Sequence, residues 1–154
     1  MINYGKHFVD KEDLDAVNFT LKYNFLTQGD QVKKFEKNIK NFFGGKYCLA
    51  VNSGTSALHL ALKSLSLKKN SLVLTTPITF IATANSVLYN NHKLDLIDID
   101  LKNYCLDLNL LEKYLIQKKN LVKAVIFVDY AGNTLDWDKI FFLKKKYNFF
   151  TIND

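Results

Sequence analysis

Ala124-Val125-Ile126-Phe127-Val128 is the run that most limits what this chain can become. Consecutive apolar residues rich in β-branched side chains leave no polar face, so a strand built from them has to be covered on both sides. Such a strand belongs in a parallel sheet between helices, and the surrounding sequence has the matching punctuation. Leu72-Val73-Leu74-Thr75 reads as another buried strand closed by Thr76-Pro77, Leu94 to Ile99 as a third, and Phe149-Phe150-Thr151-Ile152 as a last one. Between them apolar residues recur at helical spacing from Phe80 to Tyr89, from about Leu108 to Gln117 and from Trp137 to Tyr147. This alternation predicts an α/β fold: three layers, αβα, with a mostly parallel sheet and helices on both faces.

The first third is built differently. Asp10 is placed to cap a helix whose apolar stripe is Leu14, Val17 and Leu21, ending near Tyr23. Asn24 to Gly29 is a loop, and Asp30 starts a second helix with Val32, Phe35, Ile39 and Phe42 on one side. Gly44-Gly45 ends it, because the left-handed conformation of a helix stop is cheap only for glycine. Tyr47-Cys48-Leu49-Ala50-Val51 then reads as a short buried strand, and Asn52 to Ser56 as a turn into a helix carrying Ala57, Leu58, Leu60, Ala61, Leu62 and Leu65. A turn at that place gathers free backbone N–H groups, the positive end of the helix dipole and the hydroxyls of Ser53, Thr55 and Ser56. Two readings stay open there, an ordinary hydroxyl N-cap and a phosphate cradle.

Composition removes several classes. A chain of 154 residues, 48% hydrophobic, can bury one substantial core, and a single domain is the default expectation. No apolar run approaches the roughly 18 residues of a membrane span, and the polar start from Asn3 to His7 argues against a secretory signal, so a cytoplasmic protein is expected. Cys48 and Cys105 have no partners at ligand spacing and read as free thiols, with no disulfide framework and no metal site. The formal charge of +6 sits on lysines scattered in small groups such as Lys33-Lys34, Lys68-Lys69, Lys118-Lys119 and Lys144 to Lys146. That distribution disfavours nucleic acid and suits attraction of a phosphorylated or nucleotide-bearing small molecule. There is no Gly-x-Gly-x-x-Gly, no Walker loop, no nucleophile elbow and no His-Glu-x-x-His.

In a parallel sheet the ligand sits at the carboxyl ends of the strands. Four polar groups fall there: Ser53-Thr55-Ser56, Thr76 to Phe80, Asp129-Tyr130, and Asp154. A phosphate cradle, an aromatic after one strand and a carboxylate after another together suit a flat, phosphorylated, cationic heteroaromatic ring.

These residues resemble a family. Leu26-Thr27-Gln28-Gly29, the stretch from Asn52 to Leu62, Pro77 to Asn85 and Asp98-Ile99-Asp100 are similar to the N-terminal part of the DegT and StrS group of nucleotide-sugar aminotransferases, fold type I enzymes that use pyridoxal phosphate. Ile2 to Lys6, Thr75 to Phe80 and Val128 to Gly132 look most like the branch of the group acting in pseudaminic-acid synthesis. The resemblance implies transfer of an amino group from glutamate to the keto carbon of a UDP-linked 4-keto-6-deoxy sugar for surface glycans, in a homodimer that shares its active sites. It also implies that 1–154 is the N-terminal part of the cofactor-binding large domain, with a helical arm at 1–45 and no small C-terminal domain. By the same resemblance, Gly54, Thr55 and Ser56 would hold the cofactor phosphate, Phe80 would stack on the ring and Asp154 would pair with the ring nitrogen. Thr27, Gln28, Asp129, Tyr130 and Asn133 would line the substrate side. Taken without the family, Phe80 is a core residue and Asp154 a terminal acid.

The sequence departs from the family at Asp30, where proline is common, and at Asn153, where glutamate usually precedes the aspartate. The family's Schiff-base lysine lies beyond Asp154, so no catalytic nucleophile is assigned, and the chain alone is expected not to transaminate. A non-catalytic phosphate- or nucleotide-binding α/β module is the alternative expectation.

Overall fold

The computed structural model describes residues 5–118 and 120–154. Ile2, Asn3 and Tyr4 of the opening motif and Lys119 of the Lys118-Lys119 pair therefore lie outside the described residues. Contacts divide the chain into two compact units, Met1–Ala50 and Val51–Asp154.

In the first unit, α1 spans Lys11–Tyr23 and α2 spans Asp30–Phe43. Asp10 starts α1 through a reciprocal capping box: its carboxylate accepts from the Asp13 backbone N–H, and the Asp13 carboxylate accepts from the Asp10 N–H. Gly44 stops α2 in the left-handed conformation, φ 64°, where a side chain would be strained. Neither helix buries a side chain.

The strand expected at Tyr47 to Val51 is not formed. These residues are extended but unpaired, with Tyr47 and Leu49 exposed at 81% and 84%. A strand exists only where its N–H and C=O groups find a ladder partner, and no strand pairs with this run among the described residues. The Ala50 N–H instead donates to the Glu36 carboxylate, 2.9 Å away.

The second unit carries the sheet. After α3 (Gly54–Ser64) come β1 (Leu72–Thr75), α4 (Ile81–Tyr89), β2 (Lys93–Leu96), α5 (Leu108–Gln117), β3 (Val122–Phe127), α6 (Trp137–Tyr147) and β4 (Phe150–Asn153). Four strands pair in the order β2-β1-β3-β4, every pair parallel. Val73 lies opposite Leu94 and Ala124, and Ile126 opposite Ile152. The strand expected from Leu94 to Ile99 is shorter, because Ile99 leaves the ladder for an antiparallel bridge to Leu106.

Alternation along the strands produces the layers. Val73, Ala124 and Ile126 face Leu58 and Leu62 of α3 and Ala82 and Val87 of α4. Leu74, Val125 and Phe127 face Leu111 and Leu115 of α5 and Ile140 and Leu143 of α6. Both faces of the inner strands are thus sealed, as the unbroken apolar run in β3 requires, and the fold is the three-layer α/β arrangement expected from the sequence.

Candidate functional site

Parallel pairing puts the carboxyl ends of β1, β3 and β4 on one edge of the sheet. α4 leaves that edge directly after β1. α3 must run back toward the amino end of β1 to connect with it, so its N-terminus lies on the carboxyl edge too. The polar groups at 53–56, 76–80, 129–130 and 154 therefore share an edge.

Asp154 is the best-positioned of them. Its N–H donates to the Phe127 carbonyl at 2.8 Å, and its carbonyl accepts from the Asp129 N–H at 3.4 Å, so the β3–β4 ladder continues through it. The Thr83 hydroxyl donates to Asp154 Oδ2. Thr83 is fully buried in α4, and its oxygen lies 2.7 Å from the Thr79 hydroxyl. With the Thr83 proton committed to the carboxylate, Thr79 is the donor in that second bond. Oδ1 of Asp154 has no hydrogen-bond partner among the described residues, and the residue is exposed. The relay Thr79, Thr83, Asp154 fixes one carboxylate oxygen and leaves the other unengaged among the described residues.

The turn before α3 is a tighter structure than its hydroxyl content alone suggests. Ser53 is the N-cap, accepting from the Ser56 N–H at 3.1 Å. Its own proton goes to Ser56 Oγ at 3.0 Å, and the Ser56 proton to Asn52 Oδ1 at 2.7 Å. Both serine protons are spent inside the turn. The amides of Gly54 and Thr55 and the Thr55 hydroxyl have no acceptor among the described residues. A Cβ built on Gly54 would meet nothing within 4 Å. The ordinary cap is present, and open space lies beside donors that the cap does not use.

Phe80 is the N-cap residue of α4 with extended backbone and a ring 74% exposed, so it is not a core residue. Beside it the Thr76 hydroxyl is buried without a partner, whereas its neighbour Thr75 donates to the Ile126 carbonyl at 3.0 Å. An orphaned buried hydroxyl and an uncovered benzyl ring on the same loop are what a bound ring system would complete. On these observations the residues present fit pyridoxal phosphate: an open anion turn, a ring face and a positioned carboxylate.

Asp129 shapes the neighbouring loop more than it faces outward. Its carboxylate accepts from the Leu135 N–H at 3.1 Å and from the Asn153 amide at 2.9 Å. Tyr130 is half exposed in a short 3-10 turn, Tyr130–Gly132, and its ring lies 6.3 Å from that of Tyr104. The Asn133 amide is turned toward the 98–106 loop and donates to the Asn103 carbonyl at 3.1 Å. Thr27 and Gln28 belong to the loop of the first unit, where Gln28 has φ 56° and a side chain on Gly29 would collide with the Phe25 carbonyl. His59 is partly buried against Tyr89, ring centroids 6.0 Å apart, in keeping with a packing role.

Thr83 is the residue that sequence reasoning passed over. Its signal was present, a hydroxyl between Ala82 and Ala84 on an apolar helix, four residues after Thr79 and so on the same helical face. Nothing local says that the acid it serves lies 71 positions later.

Comparison with known proteins completes the picture. The model of the DegT/DnrJ/EryC1/StrS aminotransferase family matches residues 8–154. A UDP-4-amino-4,6-dideoxy-N-acetyl-beta-L-altrosamine transaminase of Campylobacter jejuni is 40% identical over 154 residues, which is 100% of this chain and 40% of the relative. Among solved structures, Helicobacter pylori PseC, described as an aminotransferase involved in the biosynthesis of pseudoaminic acid, superposes with a TM-score of 0.91 at 33% identity, over 99% of this chain and 40% of that one. Spr1654 of Streptococcus pneumoniae, in its PLP-form, gives a TM-score of 0.87 at 25% identity, over 99% of this chain and 38% of that one. The chain thus spans about 40% of the length of the relatives it matches.

Proposed function

This chain belongs to the DegT/DnrJ/EryC1/StrS aminotransferase family, and from that premise we propose that it is the cofactor-holding part of a pyridoxal-phosphate-dependent sugar-nucleotide aminotransferase of the pseudaminic-acid type. The acceptor would be the keto carbon of a UDP-linked 4-keto-6-deoxy sugar and the donor glutamate. The observation that carries the reading is the Thr79, Thr83, Asp154 relay, which holds a carboxylate with one unengaged oxygen on the edge where the cradle and Phe80 also lie.

When bound, pyridoxal phosphate supplies the electron sink that lets an amino group pass between donor and acceptor. The chain's own residues bind and orient. Gly54 and Thr55 would donate their amides, and Thr55 its hydroxyl, to the phosphate, while the closed Asn52, Ser53, Ser56 network keeps the turn rigid. Phe80 would cover one ring face, a contact worth roughly 0.5 to 1.5 kcal/mol beyond burial. Asp154 would accept the proton-bearing ring nitrogen and favour its charged form. Asp129, Tyr130 and Asn133 are proposed substrate residues of the second unit, and Thr27 and Gln28 are proposed as substrate residues of the first. Among the described residues no lysine bonds to Asp154, Asp129, Thr83 or the 53–56 turn. The 154-residue chain is therefore proposed to hold the cofactor weakly, at about millimolar affinity, without completing transfer.

Pyridoxamine phosphate is the suitable probe, because it lacks the aldehyde that reacts with any surface lysine. Saturation-transfer NMR should show it bound in preference to pyridoxamine, with the preference lost in Gly54→Val and the ring contact weakened in Asp154→Asn. Equal binding with and without the phosphate would overturn the cofactor assignment. Turnover of a UDP-keto sugar with glutamate by the chain alone would overturn its inactivity.

A further inference from the structure

Four of the lysines scattered through the sequence line one hollow on the opposite edge of the sheet. A cavity of about 590 Å³ opens at the amino ends of β1, β2 and β3, lined by Lys69, Lys93, Lys118 and Lys123 together with Asn70, Ser71, Asp95, Tyr114 and Asn120. The turns that present these lysines are pinned by backbone bonds: Lys93 N–H to the Ser71 carbonyl at 2.9 Å, Asn70 N–H to the Asn91 carbonyl at 3.0 Å, and Leu121 N–H to the Lys118 carbonyl at 2.9 Å. Asn70 and Asn120 hold left-handed conformations, φ 62° and 60°, that turn the chain at the rim. Lys123 Nζ is anchored on the Asn120 carbonyl at 2.6 Å.

Asp95 is the single acid in the lining and offsets one of the four positive charges. Its carboxylate is engaged by the Tyr114 hydroxyl at 2.5 Å and the Leu96 N–H at 2.9 Å, and among the described residues none of the four lysines forms an ion pair. A cavity of this volume is about 10 Å across, on the order of one Debye length in 0.1 M salt, so the four ammonium groups feel one another. Crowded, unpaired cations around a concave, hydrogen-bonding wall call for a ligand with several negative charges in a row.

We propose that this amino-edge cavity binds oligophosphate chains, at a site separate from the cofactor edge. Two sources share that chemistry, inorganic oligophosphate and the phosphate tail of a nucleoside triphosphate. The phosphate chain lies among the four lysines, and the amides of Asn70 and Asn120 supply neutral contacts.

Calorimetric titration of the 154-residue chain with tripolyphosphate tests this, with ATP and orthophosphate as companion ligands. Tripolyphosphate should bind at least tenfold more tightly than orthophosphate, and Lys93→Gln/Lys123→Gln should weaken it about fivefold to tenfold, the loss of two exposed charge contacts. Lys33→Gln/Lys37→Gln, with the same change in net charge, should leave it unchanged, as should Gly54→Val at the other edge. ATP equal to tripolyphosphate supports recognition of the phosphate chain alone, and ATP tighter supports the nucleotide as the source. As a readout independent of variants, tripolyphosphate should protect Lys93 and Lys123 from acetylation while Lys33 stays reactive. Absence of binding, equal weakening by the control pair, loss in Gly54→Val, or acetylation of Lys93 and Lys123 unaffected by ligand would each overturn the proposal.

Discussion

Replacing Thr83 by Val keeps the side-chain volume and removes one hydroxyl, which leaves the Thr79 proton without its acceptor and Asp154 Oδ2 without its donor. Thr83 is buried while Asp154 is exposed, so water replaces only part of what is lost, and the cost should be about 1 to 3 kcal/mol in urea unfolding. Thr83→Ser restores the donor and should recover most of it. Thr83 is a positioning residue, and pyridoxamine phosphate binding should weaken in the Val variant and return in the Ser variant. Gly54→Val should do the reverse of Thr83→Val: with nothing within 4 Å of the added Cβ, stability changes by less than about 1 kcal/mol while phosphate affinity falls. At this scale the sequence showed residue types, hydroxyls, a benzyl ring and an acid after strand-like runs. It did not show which protons were already spent, because Ser53 and Ser56 look as available as Thr55 until the Asn52 bond is seen.

Elements were legible where both ends of their stabilisation are local or where burial is total. α6 begins and ends where its pattern says, with the Asp136 carboxylate capping the Lys139 N–H and Asn148 left-handed at φ 54°. β3 was legible because its apolar run admits only a covered strand. Tyr47 to Val51 has similar propensity and no strand partner among the described residues, and propensity carries no information about a partner. The edge strand β2 offers a pH test of how one element is fastened to the next. Tyr114 of α5 donates to Asp95 of β2, and partial burial, then the carboxylate beside it, push its phenol up from 10.0 to about 12. The folded state therefore keeps this proton where the unfolded chain releases it. Its contribution is complete below pH 10 and is lost as pH rises from 10 through about 12. Tyr114→Phe should flatten that part of the alkaline stability profile relative to wild type, measured by denaturant midpoints between pH 9 and 12.

For the whole molecule, the decisive contrast is between a unit with two sealed cores and a unit whose helices bury no side chain. Helices of 13 and 14 residues without tertiary burial are marginal in water, so amides of α1 and α2 should exchange on the order of 100-fold faster than those of β1 and β3 in native-state hydrogen exchange. Comparable protection in both units would contradict this. The same contrast bears on association. Phe8, Phe42, Tyr47 and Leu49 are each more than 80% exposed, and α1 and α2 add Leu14, Val17, Leu21 and Phe35 at more than 50%. Apolar groups left in water at that density favour contact with another surface, at roughly 25 cal/mol for each Å² covered. A second copy of the chain is a surface always present, and the homodimer that the resemblance implies would use it. Sedimentation velocity should then show a weight-average mass that climbs above 17.8 kDa as concentration rises. Phe42→Lys/Leu49→Lys should return the mass toward the monomer without altering the circular dichroism of the second unit, whereas a concentration-independent monomer would show that the exposed groups are tolerated singly.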